Sequence, residues 1–219
     1  MTLLIFDFDG VVADSELIAN TALARALTGI GLPTSVEESL GRYLGRRWAD
    51  NEADIVAALG GPLPPGFQDN RRAEVRAVLA AELTEVAGLS AFLAAHPDWA
   101  RCIASSGTHE WLDLALDIIG LAALFPRRFS GASDVAHGKP APDLFLHAAA
   151  SMGFAPADCI VIEDSVAGVR GGVAAEMRVI GLVAGTHIRD GHADTLRTAG
   201  AHAVAANYEE VAALLGDWR

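Results

Sequence analysis

Short apolar segments typical of β-strands alternate with helical patterns along most of this sequence. The predicted strands cover residues 3–6, 102–104, 128–130, 160–162 and 179–183, and every one but the last is followed directly by a helical pattern. Such alternation is typical of a parallel sheet with helices on both faces. The sequence therefore predicts a three-layer, doubly wound α/β fold, whose ligands bind at the carboxyl ends of the strands. A helix at 208–215 is predicted to end the chain.

One long segment interrupts this alternation. Residues 15–85 contain helical patterns at 16–28, 36–44, 48–59 and 70–83, and no good strand pattern. A loop rich in glycine and proline, residues 60–66, divides the segment. We therefore predict a small helical domain at 15–85, inserted into a core domain that comprises residues 1–14 and 86–219.

Two aspartates directly follow the first predicted strand. Asp7 and Asp9 are separated by Phe8, and alternate residues of an extended chain point to the same side. Both carboxylates can therefore meet at one reacting centre, while Phe8 points into the core and Gly10 lets the chain turn sharply. Two negative charges this close are costly without a compensating cation, so the pair predicts a divalent metal site. The same residues also fit a strand followed by an ordinary Asp-Gly turn.

A hydroxyl residue ends the second predicted strand. Ser105 precedes Thr108 and a helical pattern that continues to Ile119, so its hydroxyl and nearby N–H groups are suited to hold an anion. A lone serine at such a boundary more commonly serves as a helix N-cap.

Lys139 is the only lysine in a sequence that contains fifteen arginines. This bias suggests that position 139 needs an ammonium group, a compact charge that fits between a carboxylate and a second anionic group where a planar guanidinium would be too wide. A surface lysine retained by chance is the alternative. Pro142 is predicted to lie in the first turn of a helix that extends to about residue 152.

A second acidic pair follows the predicted strand at 160–162. Glu163 and Asp164 would face Asp7 across a parallel sheet, and their oxygen atoms suit Mg²⁺, which keeps several waters. The pair also fits an ordinary acidic start to the helix that begins near Ser165, where the helix dipole favours negative charge.

Composition limits the classes of protein to which this chain can belong. Its 219 residues are 52% hydrophobic, enough for one substantial core and a small accessory domain. The net charge of −12 argues against a nucleic-acid partner and against anionic membranes. Cys102 and Cys159 fall in predicted core strands, which favours unpaired apolar side chains and a reducing cytoplasm. We expect no secretory signal and no membrane span, because no basic leader and no long apolar run occur.

Taken together, the polar sites resemble the motifs of the haloacid dehalogenase-like superfamily of aspartate-dependent phosphohydrolases. Matching segments occur at 7–10, 101–107, 138–143 and 159–169, in the family order and at the family spacing. The resemblance covers nearly the whole chain and implies a Rossmann-like core. The helical insertion resembles the mobile cap of a subgroup that includes phosphoglycolate phosphatases, β-phosphoglucomutases and sugar-phosphate phosphatases. In that subgroup the cap closes over the site and reads the leaving group.

This resemblance implies a two-step phosphoryl transfer on a small phosphorylated metabolite. Asp7 is implied to be the nucleophile that forms an aspartyl-phosphate, and Asp9 the general acid and base. Ser105, Ser106 and Lys139 are implied to bind the phosphoryl group.

The resemblance also implies a Mg²⁺ cofactor. The metal would be held by Asp7, the backbone carbonyl of Asp9 and Asp164, whereas Glu163 would orient a metal-bound water.

The cap implies a further set of candidate residues. In the subgroup, a loop after the second cap helix reaches the active site, and residues 43–48 match it here. Arg46 and Arg47 are candidates to grip a second anionic group or sugar hydroxyls, and Trp48 to stack on a sugar ring. A solvated basic turn with a packed tryptophan is the alternative. His109 lies near the predicted site, but a surface histidine at a helix start is the simpler interpretation.

Departures from relatives narrow the predicted activity to a sugar-phosphate phosphatase. Asp9 argues against carbon–halogen cleavage, and a cap without lysine argues against phosphonoacetaldehyde hydrolysis. A β-phosphoglucomutase-type mutase is the alternative, although Ala19 stands where those enzymes carry a cap histidine. A phosphoacceptor receiver domain is a more remote alternative, because its motifs occur in a different order along the chain. A non-catalytic binding protein is also more remote, because none of the family's motif residues is missing here. A monomer is assumed by default, with oligomers left open, and the sequence does not name the substrate.

Overall fold

A computed structural model describes residues 2–44, 46 and 48–218 of the chain, and its centre is a parallel sheet. Its six strands are β1 Leu3–Phe6, β2 Ala100–Ser105, β3 Arg128–Ser130, β4 Cys159–Glu163, β5 Arg178–Leu182 and β6 Ala203–Ala205. They lie in the order β3-β2-β1-β4-β5-β6. All neighbouring strands run parallel. The predicted doubly wound α/β fold is confirmed.

Ten helices accompany this sheet in the described part of the chain. Those in the first half are α1 Glu16–Gly29, α2 Val36–Tyr43, α3 Trp48–Leu59, α4 Phe67–Glu82 and α5 Leu89–Ala95. The others are α6 His109–Ile118, α7 Asp143–Met152, α8 Val166–Ala174, α9 His192–Ala199 and α10 Tyr208–Asp217. Short 3-10 helices occupy Ala122–Leu124 and Pro156–Asp158. No helix within these described ranges has the length and apolar character needed to cross a membrane.

The side chains of β1 show how the sheet forms two cores. Leu4 and Phe6 pack in a cluster with residues of α5, α6 and α10, whereas Leu3 and Ile5 pack with residues of α7, α8 and α9. Alternate residues of a strand face opposite sides, so a strand buried on both faces reads as a continuous apolar run. The apolar character of residues 3–6 thus follows from the three-layer arrangement.

The helical segment after β1 has an apolar cluster of its own. Buried residues of α1, α2, α3 and α4 form it: Leu23, Leu27, Tyr43, Ile55 and Phe67. Its two connections to the sheet run side by side, since Asp14 N–H donates to the Thr84 carbonyl and Val86 N–H to the Val12 carbonyl. A cap at 15–85 remains a prediction.

Several predicted elements differ from the structure. Helix α9 and strand β6 follow β5, so the last predicted strand is not the last of the sheet. Helix α5 was also not predicted. Strand β3 is followed first by a loop, residues 131–142, and Pro142 is the N-cap of α7 rather than a residue of its first turn. Both cysteines are buried and unpaired, as predicted.

Candidate active site

The predicted polar residues meet at the carboxyl ends of the three central strands. Asp7 follows β1, Ser105 ends β2, and Glu163 and Asp164 lie at the end of β4. The backbone N–H of Asp7 donates to the carbonyl of Ile162 at 2.9 Å, which fixes the register between the two acidic motifs. The strands β2 and β3 lie on one side of β1, and the chain then crosses to β4 on its other side, so the strand order reverses between β1 and β4. This reversal is the switch point where doubly wound sheets bind ligands.

Lys139 reaches this point from the loop after β3. Its Nζ lies 2.5 Å from Oδ1 of Asp7 and 2.6 Å from Oε1 of Glu163, and all three side chains are buried. Burial alone would lower the pKa of Lys139, but Asp7 and Glu163 outweigh it and the pKa is raised. The lysine is therefore held as a cation between two carboxylates.

The negative charge of the cluster exceeds this single cation. Burial raises the pKa of Asp7 well above its usual value, and the nearby Glu163 carboxylate adds to the shift, against the pull of Lys139. Burial, followed by Glu163, likewise raises the pKa of Asp164. Raised carboxylate pKa values in a buried cluster indicate that a further positive charge would stabilise it.

A divalent metal ion fits this cluster. Ligand atoms of Asp7, Glu163 and Asp164 lie within 4.8 Å of one another, and Oδ2 of Asp164 is buried without a hydrogen-bond partner. Glu163 is already engaged at both oxygens, since Oε1 accepts from Lys139 and Oε2 accepts from the Ser165 amide at 2.8 Å and hydroxyl at 2.9 Å. Both oxygens of Glu163 are therefore occupied by this chain's own donors, whereas Oδ2 of Asp164 is free to accept a metal ion.

Two glycines allow the acidic residues to approach the backbone. A Cβ at Gly10, where φ is +83°, would lie 1.9 Å from Oδ2 of Asp164. A Cβ at Gly168, in α8, would lie 1.6 Å from Oε1 of Glu163. Both positions therefore exclude a side chain for steric reasons, and Gly10 also has a backbone conformation that disfavours other residues.

Replacing Gly168 by alanine should displace Glu163 from Lys139. We expect Gly168→Ala to lower the free energy of unfolding by about 3 kcal/mol, at the upper end of overpacking costs. Gly29→Ala is the matched control, because a Cβ there meets nothing within 4 Å and the position is also helical. Urea unfolding measures both variants, and equal stabilities would show that Glu163 moves aside without cost.

Asp9 lies beside the cluster and faces a cavity. Its Oδ1 accepts from the Ser15 hydroxyl at 2.5 Å and from the indole N–H of Trp111 at 3.0 Å. Burial raises the pKa of Asp9, while the hydrogen bonds from Ser15, Trp111 and Ser105 oppose the rise. Ser15 and Trp111 were not among the predicted site residues. Ser15 lies five residues after the first motif, whereas Trp111 has no local signal, because only the fold brings α6 to Asp9.

Ser105 and Ser106 form the neighbouring wall. The Ser105 hydroxyl accepts from the Gly107 amide at 3.0 Å, and residues 105–108 all line the cavity. The helix N-cap is Thr108, whose hydroxyl oxygen accepts from the Trp111 amide at 3.2 Å. The structure thus assigns the capping role to Thr108 and leaves Ser105 at the strand end.

The cavity has a volume of about 310 Å³ and lies between the strand ends and the helical segment. Arg46 and Trp48 line it together with residues of α1, α4 and α6. Arg47 lies outside the described residues. His109 is exposed and its Nε2 lies 2.9 Å from Oδ1 of Asp134, so its side chain is engaged away from the cavity.

Two histidines that sequence analysis did not single out flank Asp164. His192 donates from Nε2 to the Asp164 carbonyl oxygen at 2.6 Å. His187 is buried with Nε2 at 3.0 Å from Oδ2 of Asp164, although the two atoms are not aligned for a hydrogen bond. Burial lowers the pKa of His187 to about 4, so the ring is neutral at pH 7. Both belong to the segment after β5, which was not predicted to reach the site.

The fold and the site place this protein in a class, the α/β enzymes whose acidic residues meet at the carboxyl ends of a parallel sheet. The family follows from comparison with known proteins. A family model described as haloacid dehalogenase-like hydrolase matches residues 1–176. The chain belongs to this family, as its motifs predicted.

Characterised relatives and solved structures agree with this assignment. The chain is 30% identical to 6-phosphogluconate phosphatase of Escherichia coli (strain K12) over 184 residues, which are 83% of this chain and 82% of that protein. It is 32% identical to hexitol phosphatase A of the same organism over 189 residues, 80% of each chain. A crystal structure of a conserved haloacid dehalogenase-like protein from Agrobacterium tumefaciens is 35% identical, with a TM-score of 0.85 over 100% of this chain and 99% of that one.

Proposed function

We propose that this protein is a Mg²⁺-dependent phosphatase that hydrolyses a small sugar phosphate through an aspartyl-phosphate on Asp7. Its phosphatase class rests on the family and on relatives that are a 6-phosphogluconate phosphatase and a hexitol phosphatase. One structural observation carries the mechanism. The buried Lys139 ammonium contacts Asp7, and Asp9 faces the same cavity, so a nucleophile and a proton donor are adjacent.

The proposed reaction has two steps. In the first, a carboxylate oxygen of Asp7 attacks phosphorus, the bond to the leaving oxygen breaks, and Asp9 gives that oxygen its proton. In the second, Asp9 takes a proton from water, which attacks the aspartyl-phosphate and releases phosphate and free Asp7. The raised pKa of Asp9 suits a group that begins protonated.

Charge on the transferring group is balanced by this chain's own residues. Lys139 orients Asp7, and Ser105 and Ser106 line the cavity beside it, where they would contact the phosphoryl oxygens of a bound substrate. Mg²⁺, held by Asp7, Asp164 and the Asp9 carbonyl, would neutralise charge on the phosphoryl oxygens when bound. Glu163 holds Lys139 and the start of α8 in place.

The helical segment at 15–85 is the proposed cap. It contributes residues of α1 and α4 to the cavity above Asp9, which supports a role in excluding water and reading the leaving group. Ala19 lines the cavity, and none of the described lining residues is histidine or lysine. The β-phosphoglucomutases that this chain resembles carry a histidine and a lysine on the cap, so a lining without either favours hydrolysis.

We also propose a cytoplasmic protein that acts on a free metabolite. Two buried, unpaired cysteines suit a reducing compartment. The net charge of −12 leaves nucleic acids and anionic membranes as poor partners.

Phosphate release from a panel of sugar phosphates, phosphoglycolate and nucleotides tests the proposal. We expect multiple turnovers with Mg²⁺, loss of activity in EDTA that returned Mg²⁺ reverses, and no turnover by Asp7→Asn. Conversion between hexose 1-phosphates and 6-phosphates without phosphate release would establish the mutase instead. Stoichiometric trapping of phosphate without turnover would indicate a receiver-like switch.

Trp111 provides a test of the role of Asp9. Trp111→Phe keeps an aromatic ring against Phe8 but removes the hydrogen bond to the Asp9 carboxylate. We expect kcat to fall about tenfold, the usual effect of losing a hydrogen bond to a charged group. That hydrogen bond lowers the pKa of Asp9, so its loss should move the basic limb of the pH–rate profile to higher pH. An unshifted profile would contradict Asp9 as the proton donor.

A further inference from the structure

Four described arginines line the cavity, and they differ in whether their charge is neutralised. Arg46 lies 2.6 Å from Oδ2 of Asp54, and Arg76 pairs with Glu110 across the cavity rim. Arg71 and Arg72 form no ion pair within the described residues. Two adjacent guanidinium groups of α4 therefore bring uncompensated positive charge to the cavity of an otherwise acidic protein.

Arg71 is the more constrained of the two. Its guanidinium lies over the Trp48 ring, 4.2 Å from the centroid, and its Nε is buried without a hydrogen-bond partner. Burial, and then the neighbouring charge of Arg72, lowers the pKa of Arg71 to about 10. A buried donor without a partner and a cation beside a like charge are both costly, and stacking on tryptophan offsets only part of that cost.

Trp48 is itself held in place, so the position of Arg71 is set before a ligand arrives. The Trp48 indole N–H donates to Oε2 of Glu52 at 2.7 Å, and the Gln68 amide donates to the same oxygen at 3.2 Å. Glu52 is thereby occupied by Trp48 and Gln68, and it forms no ion pair with Arg71. The side chain of Arg71 is preorganised without being neutralised.

We infer that Arg71, with Arg72 beside it, binds a second anionic group of the substrate. This inference rests on the proposed function, because it places the hydrolysed phosphate at Asp7 and the other anion at α4. The substrate class is a phosphate ester with a carboxylate or a second phosphate at its far end. A guanidinium offers either group two parallel N–H donors, and a cavity of about 310 Å³ is at the small end of the usual range for ligand sites.

Matched substrates isolate the second anion. 6-Phosphogluconate and glucitol 6-phosphate differ only in a carboxylate against a hydroxymethyl group, and fructose 1,6-bisphosphate and fructose 6-phosphate differ by one phosphate. In at least one pair, we expect wild-type enzyme to prefer the member that carries the second anionic group. The pair that shows this preference identifies whether that group is a carboxylate or a phosphate. Arg71→Gln should lower kcat/KM for that member about 30-fold, as for loss of one partner of a buried charge pair. Its loss of kcat/KM on the neutral-ended partner should be much smaller.

Conservative and matched variants separate recognition from folding. Arg71→Lys retains the positive charge but not the two parallel N–H donors of the guanidinium. It should therefore retain part of the kcat/KM that Arg71→Gln loses. Arg170→Gln is the charge-matched control, because Arg170 is exposed on α8 and does not line the cavity. It should leave the preference between paired substrates intact.

Each outcome has a distinct meaning. Wild-type turnover without preference in either pair, or an equal loss on both members in Arg71→Gln, would overturn the anion site and leave the phosphatase intact. Failure of wild-type enzyme to hydrolyse any ester in Mg²⁺ would overturn the proposed function, and the anion site with it.

Discussion

Asp7→Asn should abolish turnover and leave the fold intact. Asparagine keeps the shape of the side chain and can still accept from Lys139, but it cannot attack phosphorus as an anion. We expect kcat to fall by about 10⁵-fold, a loss typical of removing a catalytic nucleophile. Phosphate release under single-turnover conditions, with glucitol 6-phosphate or 6-phosphogluconate in Mg²⁺, measures the effect.

The same substitution should stabilise the protein when metal is absent. The pKa of Asp7 is raised in the folded state, so ionisation of this carboxyl opposes folding at neutral pH. The stability that the protonated Asp7 carboxyl contributes is therefore lost as pH rises through its pKa in the folded protein. The asparagine amide does not ionise, so the variant does not lose stability in this way. In EDTA at pH 7 the Tm of Asp7→Asn should exceed that of wild type, and its stability should depend less on pH. A lower Tm would show that the attraction between Lys139 and the Asp7 carboxylate outweighs the cost of burying that negative charge in the acidic cluster.

Lys139→Met should produce the largest loss of stability. Methionine is similar in length but leaves Asp7, Glu163 and Asp164 buried together without a cation. Removing one partner of a buried ion pair costs about 3–5 kcal/mol, which corresponds to a decrease in Tm of about 10 °C for a chain of this size. Differential scanning calorimetry in EDTA measures the decrease. Mg²⁺ should restore part of it, since a divalent cation compensates the same carboxylates.

A second substitution tests whether charge is the cause. Glu163→Gln in the Lys139→Met background removes one negative charge and keeps an oxygen to accept from Ser165. We expect this double variant to be more stable than Lys139→Met alone. If the two losses simply add, packing of the lysine stem rather than its charge would be the source of the effect.

The centre of the fold was predictable because its strands are buried on both faces. The runs at 3–6 and 160–162 are continuously apolar and end at acidic residues, so pattern and position agree. Helix α2 has a comparable local signal, a capping box between its N-cap Ser35 and Glu38.

The missed elements carry weak local signals. Strand β6 has three residues, two of them alanine, and helix α5 has seven mostly apolar residues without a polar face. Helix α9 is separated from β5 by a long loop, so the direct succession of strand and helix that marks the other units is absent there. Each of these elements is stabilised by packing against the sheet and the neighbouring helices, and local sequence patterns do not show such long-range contacts.

The residues of the candidate site also fall into two groups, those that local motifs predict and those that only the packing reveals. Asp7, Asp9, Lys139 and Asp164 belong to short motifs at strand ends or loops, and the structure brings all of them to one edge of the sheet. The roles of those residues remain a prediction. Trp111 and Arg71 lie on helices whose periodicity identifies a face but not what that face meets. Only the packing of α4 and α6 around the strand ends shows that both side chains reach the cavity.

Lys139 carries the only side-chain amine of the chain and is 3% exposed. An acylating reagent such as an N-hydroxysuccinimide ester can therefore modify position 139 only when the surrounding structure opens. Acylation would neutralise the ammonium and prevent the cluster from re-forming, so openings that last long enough for the reagent to react would accumulate as an irreversible mass increase at Lys139. The labelling rate of the peptide that contains Lys139, followed by mass spectrometry, would thus report how readily this end of the sheet opens in solution.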